Sequence, residues 1–509
     1  MNDISRRSFL KSSAVATMSA LAASIMNTPV MAEELEPLPS AGTVLEPARE
    51  VPAIECDVFV AGAGTAGVIA AIAAARAGAS VVMVEKMPAP GGTLCNGGIG
   101  INSMFAVREN PEDAERIVGG LCYELMDRMT QENGTTGFLY TPNNDQKTHY
   151  RMVADHEIHK GVVCEMLLEA GVHLMLQTYF CGVRMEGSKI TAAFIENKSG
   201  RSAIVAKQYI DCSGDGDVAE AAGVEQVEIW QDYDQVVGAP CGMVFGIGGI
   251  DFDRVVEENP NGAYRPVPIT YPNGENLLGS GSLKFVHGRE TEKYAPLNEL
   301  DINFFTSFNF LHENESVYVN NSKGVKLNAA EAEGLTQGEM EMRIKIMRMA
   351  NAFKACVPGF EKSYITWASN QLGIRASKVT VCDYDISQEE IANATRFEDE
   401  IGLYGFHDYG GKDETCLPKA PGFYGFPYRM LLAKGCDNLY MAGRNVTTDI
   451  YAHMSTRNTV GCMIMGQGAG VAAALCAQKG CMSRELPYEE LREKLLEQGV
   501  VLEPQGLLL

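Results

Sequence analysis

Fourteen cysteines are scattered along the chain, yet no two are spaced C-x-x-C. Neither a ferredoxin-type iron–sulfur run nor a C-x-x-C-H haem attachment is therefore supported. Thiols so dispersed read as small core residues, and no metal site is expected. Basic side chains are also scarce: 42 Lys and Arg stand against 65 Asp and Glu, a formal net charge of −23. A surface this acidic repels nucleic acid and anionic lipid. Beyond the N-terminal segment no apolar run is expected to reach transmembrane length, so the mature chain should carry no span. What is present is apolar mass. With 46% hydrophobic residues over 509 positions, the chain can bury a large core, and that length suits two domains.

The organising stretch is Ile54 to Gly92. Asp57 to Ala61 is apolar and reads as a buried strand. Glycines follow at Gly62, Gly64 and Gly67, then an Ala-rich helix, then a second strand, Ser80 to Val84, that ends at Glu85. Strand, G-x-G-x-x-G, helix, strand and terminal acid form a dinucleotide-binding βαβ unit. Gly62 permits the turn and Gly64 lets the backbone approach a pyrophosphate. Gly67 allows close helix–strand packing, with Thr65 and Ala66 at the helix start. The helix N-terminus offers free N–H groups to phosphate. The Glu85 carboxylate suits a ribose. Lys86 and Gly91-Gly92-Thr93 continue the motif in the manner of glutathione-reductase-type flavoproteins, which it resembles. That resemblance implies FAD as the dinucleotide.

Ser5-Arg6-Arg7-Ser8-Phe9-Leu10-Lys11 is a twin-arginine motif, followed by a mildly apolar Ala-rich segment and by Val30-Met31-Ala32 for cleavage. Residues 1–32 read as an export signal, and residues 33–52, rich in Pro and Glu, as a linker. This route exports folded protein, so the expected location is extracytoplasmic: the periplasm or cell surface of a prokaryote. Folding in a reducing cytoplasm beforehand argues against structural disulfides. Cys95 directly follows the second glycine cluster and reads as packing rather than chemistry. Helices are expected at Pro111 to Asn133 and His156 to Ala170, and a hairpin turns at Asn197 to Gly200. A strand then enters Asp211-Cys212-Ser213-Gly214-Asp215-Gly216-Asp217, a turn able to present N–H groups to phosphate or ribose. Asn259 to Asn298 breaks the βα pattern and marks a second domain. Thr336 to Phe353 reads as a helix with Thr336 as N-cap and Glu339 completing a capping box. Asn438 to Ala442 is a strand ending in the glycine turn Gly443-Arg444-Asn445, and Gly461 to Ala477 is an apolar helix rich in small residues.

Together these segments resemble the FAD-dependent oxidoreductase family, with distant kinship to the fumarate reductase and succinate dehydrogenase flavoproteins. The matching motifs are GAGTAG…EK…GGT, IDCSGDGDVAEAAG, Pro358 to Glu361, Gly373 to Ser377, Pro427 to Arg429, NLYMAGRN, Ala452 to Arg457, and C-x-x-x-GQGAG ending at Gly470. The Arg pattern expected after Gly373-Ile374-Arg375 is incomplete here, which leaves the substrate class open. The resemblance implies an α/β fold: a Rossmann-like FAD domain built from three separated segments, with an inserted α+β substrate domain. Expected boundaries are 53–225 for the N-terminal FAD pieces, 226–415 for the substrate domain and 416–509 for the last FAD piece. The implied cofactor set adds Phe180, Ser213, Gly214, Asp215, Gly443, Arg444, Gly466, Gln467 and Ala469. The family pattern also aims the N-terminus of the last helix at the flavin pyrimidine.

Candidates for chemistry are Arg375, Tyr428, His453 and Arg457, with Arg429 and Ser455 nearby in sequence. Arg375 and Arg457 could hold a carboxylate or carbonyl bidentately, and His453 could move a proton. Each of these could instead hold a loop or the cofactor. No second strand–GxGxxG–helix unit is present, so electrons are expected to pass through a separate cytochrome or quinone-linked partner. Three functions remain open: reduction of an activated C=C bond in a small molecule, the reverse dehydrogenation, and a non-catalytic flavin carrier.

Overall fold

The computed structural model describes residues 42–46, 48–103, 106–107, 115–135, 139–140, 150–233, 240–258, 268–270, 276–278, 300, 307–310, 316–320, 324–408 and 416–506. The twin-arginine segment and nearly all of Asn259 to Asn298 lie outside the described residues.

The chain lays down β1 (Ala53–Ala61), helix α1 (Thr65–Arg76), β2 (Val81–Glu85) and β3 (His173–Leu176), then a meander of β4 (Tyr179–Glu186), β5 (Lys189–Asn197) and β6 (Gly200–Asp211). The sheet order is β3-β2-β1-β6-β5-β4. The first three strands and β6 are parallel, and β4, β5 and β6 are antiparallel. Val58, Phe59, Val60 and Ala61 are all buried, as a strand covered on both faces requires. The expected hairpin forms, with Asn197 opposite Gly200 and Gly200 at φ +100°. Strand β6 serves two neighbours. Its first half pairs with β5, and its end pairs in parallel with a late strand, Tyr209 opposite Leu439.

A second sheet holds Val244–Gly248, Ser307–Phe310, Ser316–Asn320 and Tyr364–Ala368, all antiparallel. A 25-residue helix, Ala332–Cys356, covers it. Met342, Ile346, Met349 and Phe353 recur at helical spacing and are buried in a separate core. Thr336 is interior to this helix, not its cap: its hydroxyl donates to the Ala332 carbonyl at 2.7 Å, and the N-cap is Glu331. The expected helix from Pro111 is shorter, Gly120–Gln131, because Glu115–Arg116 pairs as a strand with Gln505–Gly506.

The chain returns to the first core earlier than the expected break at Cys416. Cys382, Ile386, Ile391, Ile401 and Leu403 already belong to it. The last long helix, Thr459–Lys479, crosses that core. It is apolar and long enough to span a membrane, contrary to expectation, but 94% of its most apolar window is buried inside the protein. Its glycines explain the fit. A Cβ on Gly466 would lie 2.3 Å from the Ala66 carbonyl oxygen, and one on Gly470 would lie 2.2 Å from that of Ala70. Two glycines four apart thus meet two alanines four apart, and the helix backbones touch.

Candidate active site

The glycine cradle forms at the mouth of β1. Gly62 adopts φ +95°, and a Cβ there would strike the Cys212 carbonyl at 2.5 Å, so this turn presses on the end of β6. A Cβ on Gly67 would lie 1.9 Å from the Gly62 oxygen. Gly64 differs: a Cβ there meets nothing within 4 Å. The glycine is needed not for the protein's own packing but for whatever fills the space beside it. Helix α1 begins at Thr65 with no side-chain cap, leaving its first N–H groups for a ligand. Gly91 donates to the Ala63 carbonyl at 2.7 Å, and Gly92 closes on the Gly64 backbone. Thr93 follows at the start of a one-turn helix, Gly92–Cys95. Gly443 arrives from the far end of the chain, where a Cβ on it would lie 3.6 Å from the Ala66 Cβ. Segments distant in sequence thus meet at an uncapped helix start.

Glu85 ends β2 beneath this turn. Its carboxylate accepts from the Ala63 and Met87 N–H groups, both at 2.8 Å. Burial raises its pKa, and the two N–H bonds oppose that shift. Two of about four lone-pair sites remain for a ribose. Lys86 is exposed, and Phe180 is half-buried in β4, paired with Ile195. An open cradle, an uncapped helix and a buried acid with spare acceptor sites fit the pyrophosphate and ribose of FAD.

Other expected cofactor contacts are engaged within the protein. Asp211 accepts from Ser213 N and Oγ and from the Val218 and Ala219 N–H groups. The turn's own carboxylate therefore takes the Ser213 donors. Asp215 pairs with Arg444 at 2.9 Å, and Arg444 also donates to Ser377 at 2.8 Å. Gly214, at φ +88°, lies against the Arg444 guanidinium. Gly466 and Ala469 pack in the core. The Gln467 amide oxygen accepts from Leu121 N at 3.0 Å. Cys95 is buried under Gly91, and burial pushes its thiol up to about 12, consistent with packing.

A second constellation lies where the two cores meet, around a small cluster of Ile229, Tyr233, Ala376, Val379 and Met454. Helix Ile450–Thr456 carries His453, and Arg457 is its C-cap, so the pair shares one face. The Arg457 guanidinium pairs with Asp408 and sits 5.8 Å from the centre of the Tyr233 ring. Burial opposes its charge, but Tyr233 and Asp408 hold its pKa above the usual value. Arg375 is close enough that burial first, and then the Arg457 charge, lowers its pKa. The Tyr233 ring meets His453 edge-on at 5.9 Å. Burial pushes the Tyr233 phenol up to about 12 and His453 down to about 3.

His453 has a fixed tautomer. Its Nε2 lies 2.8 Å from the Arg444 carbonyl oxygen, which can only accept. Nε2 therefore carries the proton, and Nδ1 is a bare acceptor. In this tautomer Nδ1 can accept a hydrogen bond or a proton but cannot donate one. Among the described residues, Arg457 Nε and His453 Nδ1 are buried without a hydrogen-bond partner, and the Tyr233 hydroxyl faces the Arg457 side chain at hydrogen-bonding range. Two such orphans around one ring call for a ligand or a bound water.

Of the four expected chemical residues, Arg375, His453 and Arg457 come together. Tyr428 does not: its hydroxyl donates to the Ser483 carbonyl at 2.7 Å, beside Tyr440. Arg429 stacks over Tyr384 at 4.3 Å, and Ser455 bonds Tyr424 at 2.6 Å. Tyr233, Asp408 and Ser377 were missed. Tyr233 and Asp408 sit in segments without periodicity or motif. Ser377 lay inside a recognised motif but beside the more conspicuous Arg375.

The parallel sheet, glycine cradle and buried acid define a dinucleotide-binding flavoprotein fold. The chain belongs to the FAD dependent oxidoreductase family, which it matches over residues 57–495, and it is an FAD-dependent oxidoreductase. It is 30% identical over 172 residues to digeranylgeranylglycerophospholipid reductase 1 of Methanococcoides burtonii, covering 33% of this chain and 40% of that one. It is 39% identical over 80 residues to 3-oxosteroid 1-dehydrogenase of Mycobacterium tuberculosis, covering 14% of each. The chain thus spans less than half the length of either relative. Among solved structures it is similar to a geranylgeranyl bacteriochlorophyll reductase-like protein of Thermoplasma acidophilum, at 14% identity and TM-score 0.41, over 88% of this chain and 86% of that one. It is also similar to p-nitrophenol 4-monooxygenase of Pseudomonas putida, at 12% identity and TM-score 0.42, over 87% and 84%.

Proposed function

We propose that this flavoenzyme reduces an activated C=C bond of a small organic acceptor bearing a carboxylate or carbonyl group. The observation that carries the reading is the half-buried pair of guanidiniums, Arg375 and Arg457, beside Tyr233 at the junction of the two cores. When bound, FAD would supply the hydride, and the proton that completes the reduction comes from solvent. Arg457, its Nε free of protein partners among the described residues, orients the acceptor's oxygen. Arg375 adds positive charge that grows in effect as water is excluded. Tyr233 offers a hydroxyl to the same group. His453 accepts a hydrogen bond and stays neutral.

The reverse reaction, dehydrogenation, uses the same contacts; one curated relative is named a reductase and the other a dehydrogenase. A flavin carrier would have no use for unpartnered buried polar atoms beyond the cradle. With no second dinucleotide motif in the sequence, electrons come from a separate cytochrome or quinone-linked partner. The twin-arginine segment in the sequence supports export, and with it chemistry outside the cytoplasm. Anaerobic mixing of the dithionite-reduced protein with a panel of unsaturated acids and carbonyls tests the reaction. Rapid reoxidation by an enoate or enone supports it, and reoxidation only by general electron acceptors overturns it. Replacing Arg6 and Arg7 by Lys should trap flavin-loaded precursor in the cytoplasm; normal export of that variant refutes the export reading.

A further inference from the structure

The final core helix ends in a paired thiol. Gly480 closes Thr459–Lys479 at φ +68°, and its N–H bonds the Cys476 carbonyl. The Cys481 N–H reaches that same carbonyl at 3.2 Å. This turn places the residue after the glycine over the residue four before it. Both positions are cysteine, and the Cys476 thiol lies at this turn, donating to the Met482 carbonyl at 3.6 Å. Cys476 is buried and Cys481 half-buried. The Tyr440 hydroxyl donates to Cys476 Sγ at 3.2 Å, so a strand that runs into the Gly443 turn touches the pair.

We propose that Cys476 and Cys481 form a redox-sensitive dithiol that closes to a disulfide by exchange with a low-molecular-weight or protein disulfide. The backbone bond across the turn holds the two residues near the separation that a disulfide spans, so closure asks little of the fold. The more accessible partner reacts first. The Cys481 thiolate attacks the oxidant disulfide, forming a mixed disulfide and releasing one thiolate. Cys476 then loses its proton and attacks the Cys481 sulfur, releasing the second thiol. In sum two protein thiols become one disulfide, and one external disulfide becomes two thiols. The second step is the slow one, because burial keeps Cys476 protonated. The closed form pins the end of the helix that packs against α1. None of this depends on the proposed substrate or on export.

The test treats the FAD-loaded protein with oxidised glutathione and maps thiols by alkylation and peptide mass spectrometry. Wild type should show a glutathione adduct on Cys481 that converts to a Cys476–Cys481 disulfide, faster at higher pH. Cys476→Ser should trap the adduct on Cys481, and Cys481→Ser should show neither species at this turn. Cys181 is exposed on β4, has no thiol among the groups shaping its ionisation, and should retain any adduct it acquires. FAD content and melting temperature confirm that each variant folds. If both residues still alkylate after prolonged oxidation, or if the Cys481 adduct persists in wild type as it does on Cys181, the proposal fails.

Discussion

The cradle and the junction cluster are built on opposite principles. The cradle is made of backbone. Its glycines bring main-chain atoms close, and its central features, the βαβ turn and Glu85, lie within about thirty residues of sequence. The junction cluster is made of side chains: Tyr233, Arg375, Asp408, His453 and Arg457 reach it from separate segments. A backbone site tolerates almost no change of residue size but says little about chemistry. A side-chain site tolerates reshaping, and its donors and acceptors specify what it binds. The first should therefore control cofactor loading, and the second should control turnover.

The largest effects should come from the cradle, and two glycines there should fail differently. Gly67→Ala forces a Cβ to within 1.9 Å of a carbonyl oxygen; it should abolish folded, yellow protein, as judged by soluble yield. Gly64→Val meets open space in the protein alone. It should leave the melting transition of the FAD-free protein intact while eliminating FAD binding, as read by absorbance after reconstitution. If both variants lose the fold equally, the cradle is not held open for a ligand.

Acid should weaken the protein through buried histidines in both regions. Burial lowers His159 and His407 to about 4 and His453 to about 3, from 6.5. Between those values the unfolded chain binds protons that the native state excludes, so stability falls as pH drops below 6.5. Asp217 acts in the opposite sense. Its pKa rises to about 6 from 3.8, so the native state holds the extra proton, and stability falls as pH rises through that window. Burial also lowers His156 and raises Glu85 and Asp211; with four histidines against three acids, the melting temperature should be lower at pH 5 than at pH 7. His453→Gln should flatten that slope. The pH–rate profile should show no break from His453 near 6.5.

The smallest effect is expected at Tyr428. Tyr428→Phe removes one buried hydrogen bond to the Ser483 carbonyl, a loss of about 1 kcal/mol. Chemical denaturation should detect it, while turnover should be unchanged.

How much could be read from the chain follows the same division. The β1–α1–β2 unit was legible because strand, glycines and acid are local and each is forced by sterics. The final helix was legible as a helix, but its glycines read equally as cofactor contacts or as packing. Only the placement of Gly466 on Ala66 and Gly470 on Ala70 distinguishes these. Arg375, His453 and Arg457 were legible through family motifs. Tyr233 and Asp408 were not, because a lone aromatic and a lone acid carry no periodicity, and only tertiary folding sets them against Arg457. Ile401 and Leu403 join the first core through pairing with the strand Tyr424–Pro427, a contact invisible in composition.

The central claim is that the junction cluster engages substrate while the cradle holds FAD, and Arg457 separates the two most directly. Stopped-flow reoxidation of reduced Arg457→Ala by an acceptor of the wild-type enzyme, with FAD stoichiometry measured on the same sample, is the deciding measurement. The account predicts full FAD occupancy with reaction slowed on the order of a hundredfold, corresponding to a loss of ~3 kcal/mol. Lys should restore little, because an ammonium cannot reproduce the planar fork. Unchanged reoxidation at full occupancy, or loss of FAD in parallel with rate, would contradict it.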